Sequence, residues 1–317
     1  MLRFIFRLQP VIALAVGVLF VIFLRRGFEY IPVAVAFTAA ALFFILYRLY
    51  RFSENTSPLI RGTSFAAEQF LTNNVLMFIL PFYLESMTVP SLNMLFVVFI
   101  VLLTAASNWI NFYRKWIVNR PGTGAAFYAV TIFSVLNFIF PVIIGLRNSL
   151  SIILSGAVAA VITLALIYPH MPGLKNIRSA AVSLLAVVMA LAGLWLLKPL
   201  IPPAPLRLLR AAACTGVENH NPVDSFSSIA AEPGQNIYFF TSIFAPRGLK
   251  DRIEHVWYHN KRKLISIDIK EIQGSGRGGF ATWSTKRLME GPGEYTVEVR
   301  TSAGQMIGRG GFIVTAQ

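Results

Sequence analysis

Two hydrophobic periodicities divide the chain. Over roughly the first 200 residues, apolar positions come in long runs at about 8–24, 28–47, 65–84, 91–110, 125–146, 149–168 and 179–200. A helix needs about 20 apolar residues to cross roughly 30 Å of hydrocarbon, so these runs predict about seven spans. No small-x-small cleavage site comes after the first run, which therefore reads as a span and not a signal peptide. After "IPPAP" at 201–205 the period falls to two. In "HVWYHNKRKLISIDI" (255–269), Ile265, Ile267 and Ile269 alternate with Ser266 and Asp268, the mark of a half-buried strand.

Similar runs fall at about 209–217, 236–244, 252–259, 263–270, 279–286, 294–300 and 305–315, between turns such as "APRGLKD", "HNKR" and "EGPGE". Seven short strands predict an immunoglobulin-like sandwich. Its expected core is Ile253, Ile265, Ile267, Tyr295, Val297, Val299, Phe312 and Val314, with Trp257 on the third strand. The predicted fold class is thus multi-domain: an all-α polytopic membrane bundle over 1–203, then an all-β sandwich over 204–317.

Charge orients this arrangement. Residues 1–202 hold 14 Lys/Arg against 4 acids, and residues 203–317 hold 14 against 10. Arg3, Arg7, Arg48, Arg51, Arg61, Arg114, Lys115, Arg120, Lys175 and Arg178 fall on one side of the predicted spans, and Arg25, Arg26 and Arg147 on the other. The positive-inside rule then predicts a cytoplasmic amino terminus and a strand domain on the far side. This basicity reads as topology, so no nucleic-acid partner is expected. Cys214 is the only cysteine, which excludes an intrachain disulfide.

Polar residues inside the apolar runs are the first candidate site. Glu68, Gln69, Asn73 and Asn74 fall in the third run, Asn108 and Asn111 at the end of the fourth, and Asn137 within the fifth. An intramembrane carboxylate is costly and marks a function unless it reaches the interface. The simpler expectation is that Glu68 snorkels while the asparagines bond neighbouring helices. The second candidate is a basic surface on the strand domain: Lys261, Arg262, Lys263, Arg277, Lys286 and Arg287. Gathered at one end, they would meet membrane lipid headgroups or an anionic polymer.

No catalytic or metal constellation stands out. His255 and His259 lie about 13 Å apart along a strand, too far to share one zinc. "GSGRGG" (274–279) lacks the GK[ST] of a phosphate loop, and His220 with Asp224 reads as loop composition. Neither cofactor nor metal is expected.

"APRGLKDRIEHVWYHNKRKLISIDIKEIQGSGRGGFATWSTKRL" with "GEYTVEVRTSAGQMIGRGGFIV" resembles a bacterial domain of unknown function, family 2914. The stretches "IRGTSFAAEQFLTNNVLMFILPFYLESMT" and "IPPAPLRL" resemble a longer uncharacterised family, 5924. The resemblance implies a multi-pass protein of a Gram-negative inner membrane with a periplasmic sandwich, and implies no activity. The expected function is non-enzymatic: the sandwich docks another envelope component, a protein or an anionic polymer. The alternatives are a transporter or channel built on Glu68, Asn73 and Asn74, or a membrane-embedded envelope enzyme.

Overall fold

The computed structural model describes Ala15 and residues 58–316, apart from 168–176, 231, 233, 247–248 and 275–277. The expected spans at 8–24 and 28–47 lie outside the described residues. The helices are α1 (Pro58–Glu85), α2 (Asn93–Asn108), α3 (Ile110–Phe112, running on as a π-helical turn Tyr113–Val118), α4 (Pro121–Ile144), α5 (Asn148–Ile167) and α6 (Ile177–Leu196).

The five remaining apolar runs coincide with α1, α2, α4, α5 and α6. Fewer of these helices qualify as spans than the sequence predicts. Among the described residues only Gly122–Ile144 and Asn148–Ile167 are long and apolar enough, with a third if the bent pair through α2 and α3 counts as one. In α1 the residues Glu68, Gln69, Asn73 and Asn74 dilute the hydropathy.

The chain divides into two compact units. The first takes in α1 up to Leu84, Val98–Ile139 and Ser151–Leu196. The second joins Glu85–Val97 and Phe140–Leu150 to Leu197–Gln317.

The second unit is built on a β-sandwich. Its strands are β1 (Arg207–Glu218), β2 (Asn221–Phe226), β3 (Ser228–Ala230), β4 (Asn236–Phe244), β5 (Lys250–His259), β6 (Arg262–Gln273), β7 (Phe280–Arg287), β8 (Gly293–Thr301) and β9 (Met306–Thr315). One sheet runs β2-β1-β4-β7 and the other β3-β9-β8-β5-β6; every pairing is antiparallel except β3 with β9. Alternation drives this layering: in β8, Tyr295, Val297, Val299 and Thr301 point inward and are buried. Trp257 is fully buried in the middle, its ring edge-on to Phe239 and Phe312 at 6.0 and 6.2 Å.

The core departs from expectation at Ile265, which is 47% exposed, and at Ile267, which is only half-buried. The cause is position: β6 is the edge strand of its sheet, so its inward face is only partly covered. Ile265 pairs with the inward Trp257 and shares the face of Ile267 and Ile269, but lies at the uncovered rim, while a register shift leaves Leu264 as a bulge residue that also packs on the core. Among the described residues nine strands replace the expected seven, because β2 and β3 arise from the stretch read as loop.

Glycine sets the distance between the sheets at one edge. A Cβ on Gly308 would stand 2.6 Å from Leu208, and one on Gly310 2.9 Å from Phe239. Their bare backbone lets β1 lie close over β9.

Both outer segments of the second unit seat against one end of the sandwich. Asn148 gives its backbone N–H and its amide to Asp251 Oδ2 at 3.2 and 3.1 Å. Arg207 pairs with Glu85 at 2.5 Å and Arg147 with Glu271 at 2.8 Å. Asn93 donates to Met306 O at 3.0 Å, and Arg309 donates to Pro90 O. Asp251 is 2% exposed; burial pushes its carboxyl above the usual range, with the Asn148 bonds pulling it back.

Candidate functional sites

The polar residues of the first unit gather at a break in a helix. α2 ends at Asn108, Trp109 is extended (φ −83°, ψ 104°), and the chain resumes helix turned by 89°. An interrupted helix strands the carbonyls of its last turn. Here Ser107 and Asn108 of the same turn donate to Thr104 O, and α1 supplies the donors for Ser107 O. Gln69 Nε2 donates to Ser107 O at 3.0 Å and Asn73 Nδ2 to the same oxygen at 3.5 Å. Asn73 Nδ2 also reaches Asn108 Oδ1 at 3.2 Å, and Ser107 Oγ donates to Asn73 Oδ1 at 2.5 Å.

Glu68 is buried beside this knot at 2% exposure, which corrects the expectation that it snorkels. The reason is length: α1 starts at Pro58, so Glu68 sits well inside the helix and not at its first turn. Tyr113 Oη donates to Glu68 Oε1 at 3.3 Å and lies 3.1 Å from Tyr128 Oη. Farther along, Asn137 donates to Tyr83 Oη at 3.2 Å, and Tyr83 donates to Ser134 O at 2.8 Å.

Two expected members do not join the cluster. Asn74 bonds back to Phe70 O on its own helix at 2.7 Å, and Asn111 stands exposed beyond the bend. Sequence reasoning missed Ser107, Tyr113 and Tyr128. A hydroxyl within an apolar run gives no sign of its bonding, and the bend that collects these three lacks a proline or glycine to announce it.

Of the candidate basic residues, Lys261, Arg262, Lys263, Lys286 and Arg287 lie at the end opposite the seated segments. Lys261, Arg262 and Lys263 are exposed at the tip of the β5–β6 hairpin. Asn260 and Lys261 take φ of 47° and 68°, as a two-residue hairpin turn requires. The tip is held in place: Asn260 N donates to Glu294 O at 2.8 Å, Glu294 N to Asn260 Oδ1 at 3.0 Å, and the His259 ring lies 4.6 Å from Tyr295. Lys286 and Arg287 have local duties instead. Lys286 pairs with Glu290 at 2.8 Å, and Arg287 Nε donates to Gly234 O at 2.9 Å. Arg277 lies outside the described residues.

A buried polar set crosses the sandwich interior. His255 Nδ1 lies 2.9 Å from Ser284 Oγ and Nε2 lies 3.1 Å from Thr241 Oγ1, while Trp257 Nε1 donates to Ser284 Oγ at 3.0 Å. Indole can only donate, so Ser284 Oγ accepts from Trp257, and each ring nitrogen of His255 has a hydroxyl within hydrogen-bond reach. Burial pushes the His255 imidazole down to about 4, so it is neutral at pH 7. Cys214 is fully buried, and desolvation raises its thiol above the usual range, which leaves it a packing residue. No three His, Cys, Asp or Glu side chains gather as a metal site among the described residues.

The chain thus combines a helical unit with a two-sheet β-sandwich. The chain belongs to the family of unknown function DUF5924, whose model matches residues 4–236, and residues 250–314 match DUF2914, a protein of unknown function. Among solved structures, the chain is similar to an immunoglobulin-like protein from Pseudomonas aeruginosa, at 10% identity and a TM-score of 0.27, covering 35% of this chain and 98% of that one. No curated protein matches.

Proposed function

We propose that this is a non-enzymatic, multi-span protein of a bacterial inner membrane, its amino terminus cytoplasmic and its sandwich periplasmic, where the sandwich docks another envelope component. The carrying observation is the polarity of the sandwich. One end is tied to Glu85–Val97 and Phe140–Leu150, and the other presents Lys261, Arg262 and Lys263 on a pinned hairpin. A rigid cationic tip suits an acidic partner, a protein surface or an anionic polymer, because little side-chain and loop order remains to be lost on binding.

Exposed apolar side chains support the membrane half of this reading. Leu150, Leu154, Val158 and Val161 form an exposed stripe on α5, and Val182, Leu184, Leu185, Val188 and Met189 are exposed on α6. Such surface is tolerable in lipid and costly in water.

A transport reading draws on one observation, the buried Glu68 with Tyr113 and Tyr128. Complementation of a deletion strain separates the two. Reversing the tip (Lys261→Glu, Arg262→Glu, Lys263→Glu) should abolish complementation at unchanged membrane abundance, while Glu68→Gln should complement. The opposite pattern favours transport. Lys286→Glu is a poor probe, since it breaks the pair with Glu290.

A further inference from the structure

We propose that residues 109–120, "WINFYRKWIVNR", form an interfacial element that binds the headgroups of anionic lipids; this rests on the membrane-spanning reading above. The geometry comes first. α2 exposes Leu95, Phe99 and Leu102, and Ile110–Val118 leaves it at 89°. If α2 runs across a bilayer, the segment after the bend lies in the plane of the surface.

Its composition matches that position. Tyr113 and Ile117 are buried against the protein, while Trp109 at 67% and Ile110 at 45% exposure offer apolar surface outward. Arg114, Lys115 and Arg120 are exposed. Not one acidic residue occurs between Glu85 and Glu218. The segment is a π-helical turn over Tyr113–Val118, closed by the Asn119 N–H donating to Arg114 O at 3.1 Å. Lys115 and Arg120 flank the Trp116 ring, Lys115 Nζ at 5.7 Å and the Arg120 guanidinium at 4.1 Å from its centroid. An amphipathic indole between two cations suits the headgroup level, where phosphate supplies the missing negative charge.

The test uses the full chain in phosphatidylcholine nanodiscs containing a trace of spin-labelled phosphatidylglycerol or spin-labelled phosphatidylcholine. Electron paramagnetic resonance reads the fraction of each lipid held by the protein. The native chain should prefer phosphatidylglycerol, and Lys115→Gln with Arg120→Gln should reduce that preference by roughly fivefold per cation removed. Lys115→Arg with Arg120→Lys should keep it. Equal retention of the two lipids by the native chain, or a preference untouched by the glutamine pair, overturns the proposal, and so does an acidic protein as the sole ligand of these cations. Release of the native chain from membranes by sodium carbonate would remove the spanning reading and the proposal with it; resistance to carbonate without lipid preference removes the proposal alone.

Discussion

Trp257→Ala should destabilise the sandwich by about 3–5 kcal/mol, the range for deleting a large buried ring. Trp257 is fully buried between the sheets, with Phe239 and Phe312 edge-on to it. Both neighbours sit on hydrogen-bonded strands, which limits how far the walls can collapse into the cavity. Since domains of this size are stable by only about 5–15 kcal/mol, the variant should sit near its unfolding threshold. The Ser284 hydroxyl also loses a donor, while its bond to His255 remains. Urea titration of the full chain in detergent, monitored by near-ultraviolet circular dichroism, measures the change. A loss below about 1 kcal/mol would contradict the packing described for this ring, since large core truncations cost several times more.

The second large effect is acid lability centred on His255. Its ordinary value of 6.5 falls to about 4 because burial disfavours the imidazolium. The unfolded chain therefore takes up a proton at a pH where the native protein refuses it. Stability from this group is complete above pH 6.5 and is lost as pH falls toward 4. At about 1.4 kcal/mol per unit, the loss amounts to roughly 3 kcal/mol. Asp251 works the other way, since its raised carboxyl binds a proton more readily in the native state. Urea midpoints at pH 7, 5.5 and 4.5 should show a steep decline for the native chain and a shallow one for His255→Gln. Equal slopes would assign the acid lability to other groups.

The sequence carried the long-range plan better than its details. Apolar runs of helical length located every long helix among the described residues, because a helix that hides no polar face leaves an unbroken run. Alternation located β4 to β9 for the same kind of reason: one face of each strand meets a core. It failed for β2 and β3. "NPVDSF" and "SIA" lie at sheet edges with most positions exposed, so little apolar patterning was needed. It failed also at Ile265, which alternates correctly but sits on the edge strand β6, a position visible only once the strand order is known.

The candidate sites divide similarly. Glu68, Gln69, Asn73 and Asn108 were legible because amides and carboxylates are rare in apolar runs, and three of them turned out to serve the end of α2. That assignment required knowing that the helix breaks at Trp109. The basic surface was half legible. Charge alone could not distinguish Lys261, which projects from a turn, from Lys286, which Glu290 holds down.

The docking account meets its most direct test at the hairpin tip. A photo-crosslinking residue placed at position 261 of the full chain, activated in intact cells, should join the sandwich to one envelope component at near-stoichiometric yield. Reversing Arg262 and Lys263 to glutamate in the same chain should abolish that adduct while leaving membrane abundance unchanged. An adduct that survives the reversal, or a tip that crosslinks to nothing while the protein remains active in complementation, would contradict docking through this end of the sandwich.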